Sequence, residues 1–161
     1  MNLTEYNESV RLYADRVFRF VVKTMRHTTD AQDIVQNSFT ILWQKREEVS
    51  PDKAKAFLFT VAYRQAIDYI RRNKNMSYTD ELPDDGRFAP DAVAQRELQT
   101  QLHNALHHLT EVQRSAVLLR DYEGYAYHEI GEMLELTESQ VKVYIFRARQ
   151  KLQVLLKDVR Y

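Results

Sequence analysis

The chain has 161 residues, with 23 Lys and Arg against 23 Asp and Glu, and no cysteine. That length suits one large or two small domains. The missing thiols exclude disulfides and thiolate metal sites, and the zero net charge argues against a simple DNA-coating protein.

The opening MNLTEYNESV is polar and does not read as a signal peptide. The longest apolar stretch, residues 17–22, is broken by Arg19 and is too short to span a bilayer. A cytoplasmic protein is expected. Only 3 glycines and 3 prolines occur, and no segment alternates like a strand, so the predicted fold class is all-α.

Three helices are predicted in residues 1–75. The first covers residues 4–24. The second opens at Asp30, read as an N-cap with Asp33 in the first turn, and runs to residue 47. The third follows Ser50-Pro51, where serine can cap and proline suits the first helical position, and runs to residue 73. Residues 76–92 carry Asp80, Glu81, Asp84, Asp85 and Asp91 against Arg87 alone. Such a stretch buries little apolar surface and reads as a flexible acidic linker.

A second helical domain is predicted over residues 93–161. Leu98, Leu102, Leu106 and Leu109 line one face of its first helix. Thr110 and Gln113 form a capping box that opens a helix over residues 111–121, and Gly124 suits its C-cap. Residues 127–134 and the helix after Thr137, with a second capping box at Thr137 and Gln140, make a helix-turn-helix. Its second helix is basic. Residues 139–161 carry Lys142, Arg147, Arg149, Lys151, Lys157 and Arg160 against Asp158 alone. A helix of that kind is a device for reading the DNA major groove.

An advance of 100° per residue from Ile145 puts Val141, Ala148 and Leu152 on the inner face of that helix. Gln140, Val143, Arg147 and Lys151 fall opposite. Arginine pairs with guanine and glutamine with adenine through two hydrogen bonds each. Tyr144 lies at the border, where its phenol either reaches a phosphate or covers the core. Thr137 and Lys142 sit where such motifs touch the DNA backbone. Arg149 projects near the apolar side, either toward DNA or into an ion pair with a carboxylate such as Glu129.

His103 and His107 have i, i+4 spacing, but no H-E-x-x-H follows and no carboxylate is placed as a base. They read with His108 as solvated positions. No phosphate-binding glycine loop or nucleophile motif is present either. No metal, cofactor or catalytic residue is predicted, and the chain does not read as an enzyme.

Three segments together resemble one family. DAQDIVQNSFTILWQKRE (residues 30–47), AFLFTVAYRQAIDYIRR (56–72) and LTEVQRSAVLLRDYEGYAYHEIGEMLELTESQVKVYIFRARQKL (109–152) occur in its order. The chain is identified by them as similar to the extracytoplasmic-function sigma factors of bacterial RNA polymerase. The resemblance implies a sigma-2 bundle in residues 1–75 and a sigma-4 domain in residues 93–161, joined by the linker. It implies binding of core polymerase, at the β′ clamp helices and the β flap, and of promoter DNA, together with an anti-sigma factor.

By the same resemblance, residues 34–43 lie on the surface that docks polymerase. A helical wheel places Ile34, Val35, Ser38, Ile41 and Leu42 inward, with Asp33, Gln36, Phe39 and Trp43 further round. Phe39 and Trp43 are then either partner-facing anchors or covered by a neighbouring helix. On the third helix Thr60, Arg64 and Arg71 share a stripe, which the resemblance turns toward the melted minus-ten strand. Phe57, Phe59 and Tyr63 either stack on exposed bases or join the core, and burial tendency favours the core for Phe59. The sigma-4 contacts implied at the minus-thirty-five element are Thr137, Gln140, Lys142, Val143, Tyr144, Arg147 and Lys151.

Three positions depart from the family pattern. Arg64 stands where an asparagine is usual, Ala126 where a serine or threonine caps, and Glu135 where the turn has glycine. The competing reading is an autonomous helix-turn-helix regulator, which would bind duplex DNA by itself, usually as a dimer.

Overall fold

A computed structural model describes residues 1–74 and 92–157. The first lobe is three helices, α1 (Leu3–Met25), α2 (Thr28–Gln44) and α3 (Ala54–Arg72), each packed on the other two. The second holds α4 (Ala92–Leu106), α5 (Glu111–Val117), α6 (Tyr127–Leu134) and α7 (Glu138–Leu155). No strand occurs among the described residues.

The helix starts follow local polar chemistry. Asn2 and Glu5 close a capping box on α1, exchanging bonds of 2.8 and 2.9 Å between side chain and backbone. Such reciprocal caps satisfy backbone donors that the helix itself leaves unpaired. The start expected for α2 needs correction. Its N-cap is His27, whose Nδ1 accepts from the Asp30 N–H at 3.2 Å, so Asp30 lies inside the first turn. Its charge there favours the positive helix end. Ser50 makes no capping bond, and Pro51–Lys53 form a single 3-10 turn before α3 begins at Ala54. α5 runs on into one π-helical turn, Leu118–Tyr122.

The core is continuous across both lobes. Phe20 of α1 lies 5.7 Å from Phe59 of α3, ring centre to ring centre. Phe59 in turn meets the edge of Tyr125, from the second lobe, at 5.3 Å. Arg114 of α5 is buried, and a buried guanidinium is costly unless its N–H groups are taken up. It donates to the carbonyls of Leu106 at 3.0 Å, Leu109 at 3.2 Å and Thr24 at 2.9 Å. One side chain thereby ties α4 and α5 to α1. The acidic linker expected at residues 76–92 lies, apart from Ala92, outside the described residues.

Candidate nucleic-acid interface

The helix-turn-helix is α6, a short turn, and α7. Both expected capping boxes are present. Thr110 and Gln113 exchange bonds of 3.2 and 3.3 Å, and Thr137 and Gln140 exchange bonds of 2.9 and 3.1 Å. Ala126 has no hydroxyl to cap α6, and half of the box survives, because the Glu129 carboxylate accepts from the Ala126 N–H at 3.1 Å. Glu135 takes the turn position at φ 58°, left-handed backbone that glycine adopts more cheaply. A glycine is needed four residues earlier for another reason: a Cβ on Gly131 would lie 2.7 Å from the Leu136 carbonyl oxygen. Close packing of the turn on α6 therefore depends on Gly131, which the periodicity of α6 does not reveal.

On α7 the inner face is Val141, Ile145 and Ala148, all buried, with Leu152 half-buried. Gln140, Lys142, Val143, Arg147 and Lys151 are exposed, as is Thr137 at the cap, while Tyr144 is half-buried. Phe146 is 62% exposed beside Arg147, a large aromatic open to solvent on a mostly polar helix surface. Sequence reasoning passed it over, although apolar side chains on a reading helix can pack against thymine methyl groups. The Lys142 ammonium lies 5.5 Å from the Tyr127 ring centre. Arg149 grips Asp121 through two bonds, of 3.0 and 2.6 Å. Its carboxylate partner is therefore Asp121 and not Glu129, which Lys55 holds across the lobes.

The stripe on α3 is brought together, and it faces the second lobe. Thr60 Oγ1 donates to the Met133 carbonyl at 2.9 Å, Arg64 pairs with Glu135, and Arg71 lies 3.9 Å from Glu111. Phe59 is buried, while Phe57 and Tyr63 are half-buried. Burial, with Glu111 adding to it, raises the Tyr63 phenol above its ordinary value.

On α2, Asp33 and Gln36 are exposed, and Trp43 is half-buried under the Tyr6 ring at 4.9 Å and the Arg46 guanidinium at 4.1 Å. Phe39 does not face outward. It is only 8% exposed, because Tyr6 of α1 lies across it and donates its hydroxyl to the Phe39 carbonyl at 3.0 Å. The wheel angle put it at the edge of the inner face, and the neighbouring helix closes over that edge.

His103 and His107 also differ from expectation, while His108 is exposed as expected. His103 is buried and its Nε2 accepts from Arg26 Nε at 3.2 Å. His107 Nε2 lies 3.1 Å from the Lys23 carbonyl, so the neutral ring donates there. Burial first, then Arg114 and Arg26, push the His107 ring down to about 2. Both rings pack α4 onto the end of α1, a role that i, i+4 spacing alone does not distinguish from ligation.

A helical bundle joined in one chain to a helix-turn-helix with an exposed basic face is the build of a two-part DNA-binding factor. The comparisons agree with that build, domain by domain. Residues 10–76 match the sigma-70 region 2 family, and residues 99–152 match sigma-70 region 4. The chain is 29% identical over 158 residues to the extracytoplasmic-function (ECF) RNA polymerase sigma factor SigE of Mycolicibacterium smegmatis, covering 94% of this chain and 61% of that protein. It is 28% identical over 154 residues to the ECF sigma factor SigM of Bacillus subtilis, covering 92% and 93%. Two solved structures share its fold. The sigma factor RpoE of Bartonella quintana, in complex with the anti-sigma factor NepR, matches at a TM-score of 0.80 and 20% identity, over 98% of this chain and all of that one. CnrH, in complex with the cytosolic domain of CnrY, matches at 0.76 and 21% identity, over 99% and 92%. The chain belongs to the sigma-70 family, as a sigma factor of the ECF type. Among the described residues no helix is long and apolar enough to cross a membrane.

Proposed function

We propose that this chain directs core RNA polymerase to a set of promoters from the cytoplasm, without catalysing a step itself. Residues 1–75 form the polymerase-docking and minus-ten domain, residues 76–92 the linker, and residues 93–161 the minus-thirty-five domain. The observation that carries this is the paired arrangement of a sigma-70 region 2 match and a region 4 match whose α7 exposes Gln140, Val143, Arg147 and Lys151 on one side, with Lys142 exposed beside Tyr127 of α6. Gln140 and Arg147 read base edges, Val143 and Phe146 offer apolar contact, and Thr137, Lys142, Tyr144 and Lys151 hold the phosphates that set register.

Docking to the β′ clamp helices runs through the exposed Asp33 and Gln36 with the edge of Trp43, and the β flap receives the second lobe. Thr60, Arg64 and Arg71 meet the melted strand once polymerase has drawn the lobes apart. An anti-sigma factor is the expected antagonist, in keeping with the partners present in the two similar structures. The test is co-elution of the chain with bacterial core polymerase in gel filtration, followed by promoter-dependent transcription by that complex. Failure to co-elute, together with tight sequence-specific duplex binding by the chain alone, would favour an autonomous regulator.

A further inference from the structure

Among the described residues five ion pairs join the lobes with one polarity. Arg19 meets Glu123 at 3.0 Å, Lys53 meets Glu132 at 3.2 Å, Lys55 meets Glu129, Arg64 meets Glu135, and Arg71 lies 3.9 Å from Glu111. In each of the five the first lobe supplies the cation and the second the carboxylate. Three of the carboxylates belong to one short element. Glu129 and Glu132 lie on α6 three residues apart, and Glu135 follows at its left-handed end. The cations they meet lie along α3, from its first turn to just past its middle, and on the 3-10 turn before it. At 1.5 Å per residue, Lys55 and Arg64 are about 14 Å apart along the helix. Between them, the Thr60 hydroxyl is taken by the Met133 carbonyl at 2.9 Å.

We propose that α6 stands in for the promoter strand: Glu129, Glu132 and Glu135 occupy the cationic strip of Lys53, Lys55 and Arg64, closing the free chain to single-stranded DNA until the lobes part. This rests on the reading of α3 as the minus-ten face. A row of carboxylates against Lys and Arg reproduces the charge pattern of a phosphate backbone, so strand and α6 compete for the same donors. Lys53, Glu132, Arg64 and Glu135 are each more than half exposed as side chains. Pairs so exposed contribute little individually. The closure is therefore suited to opening when a larger surface, such as polymerase, competes for either lobe, while Phe59 and Tyr125 keep the closed register defined.

The chain has no cysteine, which permits a clean locking experiment. In the full chain, Arg64→Cys and Glu135→Cys are joined by a reducible bismaleimide. Binding of a fluorescein-labelled single strand of mixed sequence is followed by anisotropy at low salt, before and after reduction. The locked chain is expected to lose the binding shown by the reduced chain, at least ten-fold, and to melt no lower than it, since the cross-link constrains the unfolded chain. Equal binding in the two states overturns the proposal. Separately, the triple variant Glu129→Gln, Glu132→Gln, Glu135→Gln is expected to bind the strand at least ten-fold more tightly than the native chain. A control of equal charge change, Glu47→Gln, Glu48→Gln, Glu97→Gln, is expected to gain far less. No gain in the triple variant, or an equal gain in the control, overturns the proposal. Glu135→Gln alone, at an exposed side chain, is expected to keep the fold and show part of the gain. Co-elution of native chain with core polymerase reports on the sigma reading independently: a chain that co-elutes but shows no masking refutes the masking alone.

Discussion

Arg64 on α3 and Glu135 at the end of α6 form an ion pair across the lobes, and both are departures from the family pattern. Asparagine is usual at the first position and glycine at the second. The paired substitution places opposite charges where the pattern has none, and it does so at a left-handed turn, with Glu135 at φ 58°. A residue with a Cβ is strained there by about 1–2 kcal/mol, whereas an exposed ion pair returns about 0.2–1 kcal/mol. Glu135→Gly is therefore expected to raise stability, by up to about 1 kcal/mol, in urea unfolding monitored by circular dichroism. A net loss would mean that the cross-lobe pair outweighs the backbone strain.

Gly131 gives the opposite result. Its missing side chain leaves room for the Leu136 carbonyl. Because a Cβ would sit 2.7 Å from that backbone oxygen, Gly131→Ala must displace the turn itself. A loss of about 1–3 kcal/mol is expected, with an unchanged urea slope. The same variant should weaken promoter recognition more than its stability loss accounts for, since α7 is aimed by this turn.

On α2, stability and docking are expected to separate. Phe39 is buried beneath Tyr6, so Phe39→Ala should cost about 3–5 kcal/mol of stability. Asp33→Ala and Gln36→Ala change exposed positions and should shift stability by less than about 0.5 kcal/mol. They should nonetheless weaken binding of core polymerase, measured by titration against labelled core enzyme. Unchanged core affinity in the doubly substituted chain would remove this face from the docking surface.

These contrasts mark where sequence was informative. The capping boxes at Thr110 and Thr137 were legible because they are strictly local, and the inner face of α7 because its period is regular. Phe39 was not, since a wheel knows one helix and its burial comes from another. Arg149 lay near the apolar side as expected, yet its partner Asp121 sits in a π-helical turn that shifts the register of the residues after Val117. The facing of the two lobes was least legible of all. Nothing along the chain marks Arg19, Lys55, Glu123 or Glu129 as partners across the lobes, and only the fold brings residues more than 70 positions apart into pairs. His103 and His107 were misjudged for the same reason: the surface that buries them belongs to α1.

His107 gives the free chain a pH dependence of definite sign. Arg114 on α5, Arg26 after α1 and His103 on its own helix surround the ring, which meets the Lys23 carbonyl. Burial and these neighbours put its folded-state value at about 2. An unfolded histidine titrates near 6.5, so below that pH the unfolded chain binds the extra proton and the folded chain does not. The contribution of His107 is fully present above about pH 6.5 and is lost as pH falls toward the folded value, by at most about 1.4 kcal/mol per pH unit. The half-buried position of the ring lets solvent trim that bound. Urea midpoints at pH 7.5, 6.5 and 5.5 are expected to fall in the native chain. His107→Gln should flatten the slope over this range, which lies above most carboxylate titrations. An equally steep slope in that variant would assign the effect to other groups.

The exposed face of α7 carries the prediction that most directly distinguishes a sigma factor from an autonomous regulator. The chain has no net charge, with 23 cationic side chains against 23 anionic ones, and several cations are occupied between the lobes. By itself it neutralises few phosphates, so its duplex affinity should be weak and salt-sensitive. On the proposed reading, holoenzyme holds the second lobe against the promoter, and each α7 side chain then acts according to its chemistry. Arg147→Ala should cost about 1–3 kcal/mol at one upstream base position, the loss of a two-bond contact to guanine. Phe146→Ala should relax discrimination at a neighbouring position that carries thymine, because the lost contact is to a methyl group. Lys142→Ala should weaken all sequences alike, since a phosphate contact carries no base information. Open-complex formation on a set of single-base promoter variants, with and without core enzyme, separates the three. Nanomolar sequence-specific duplex binding by the chain alone at physiological salt would instead require a self-sufficient reader, with α7 and its few cations supplying the whole affinity.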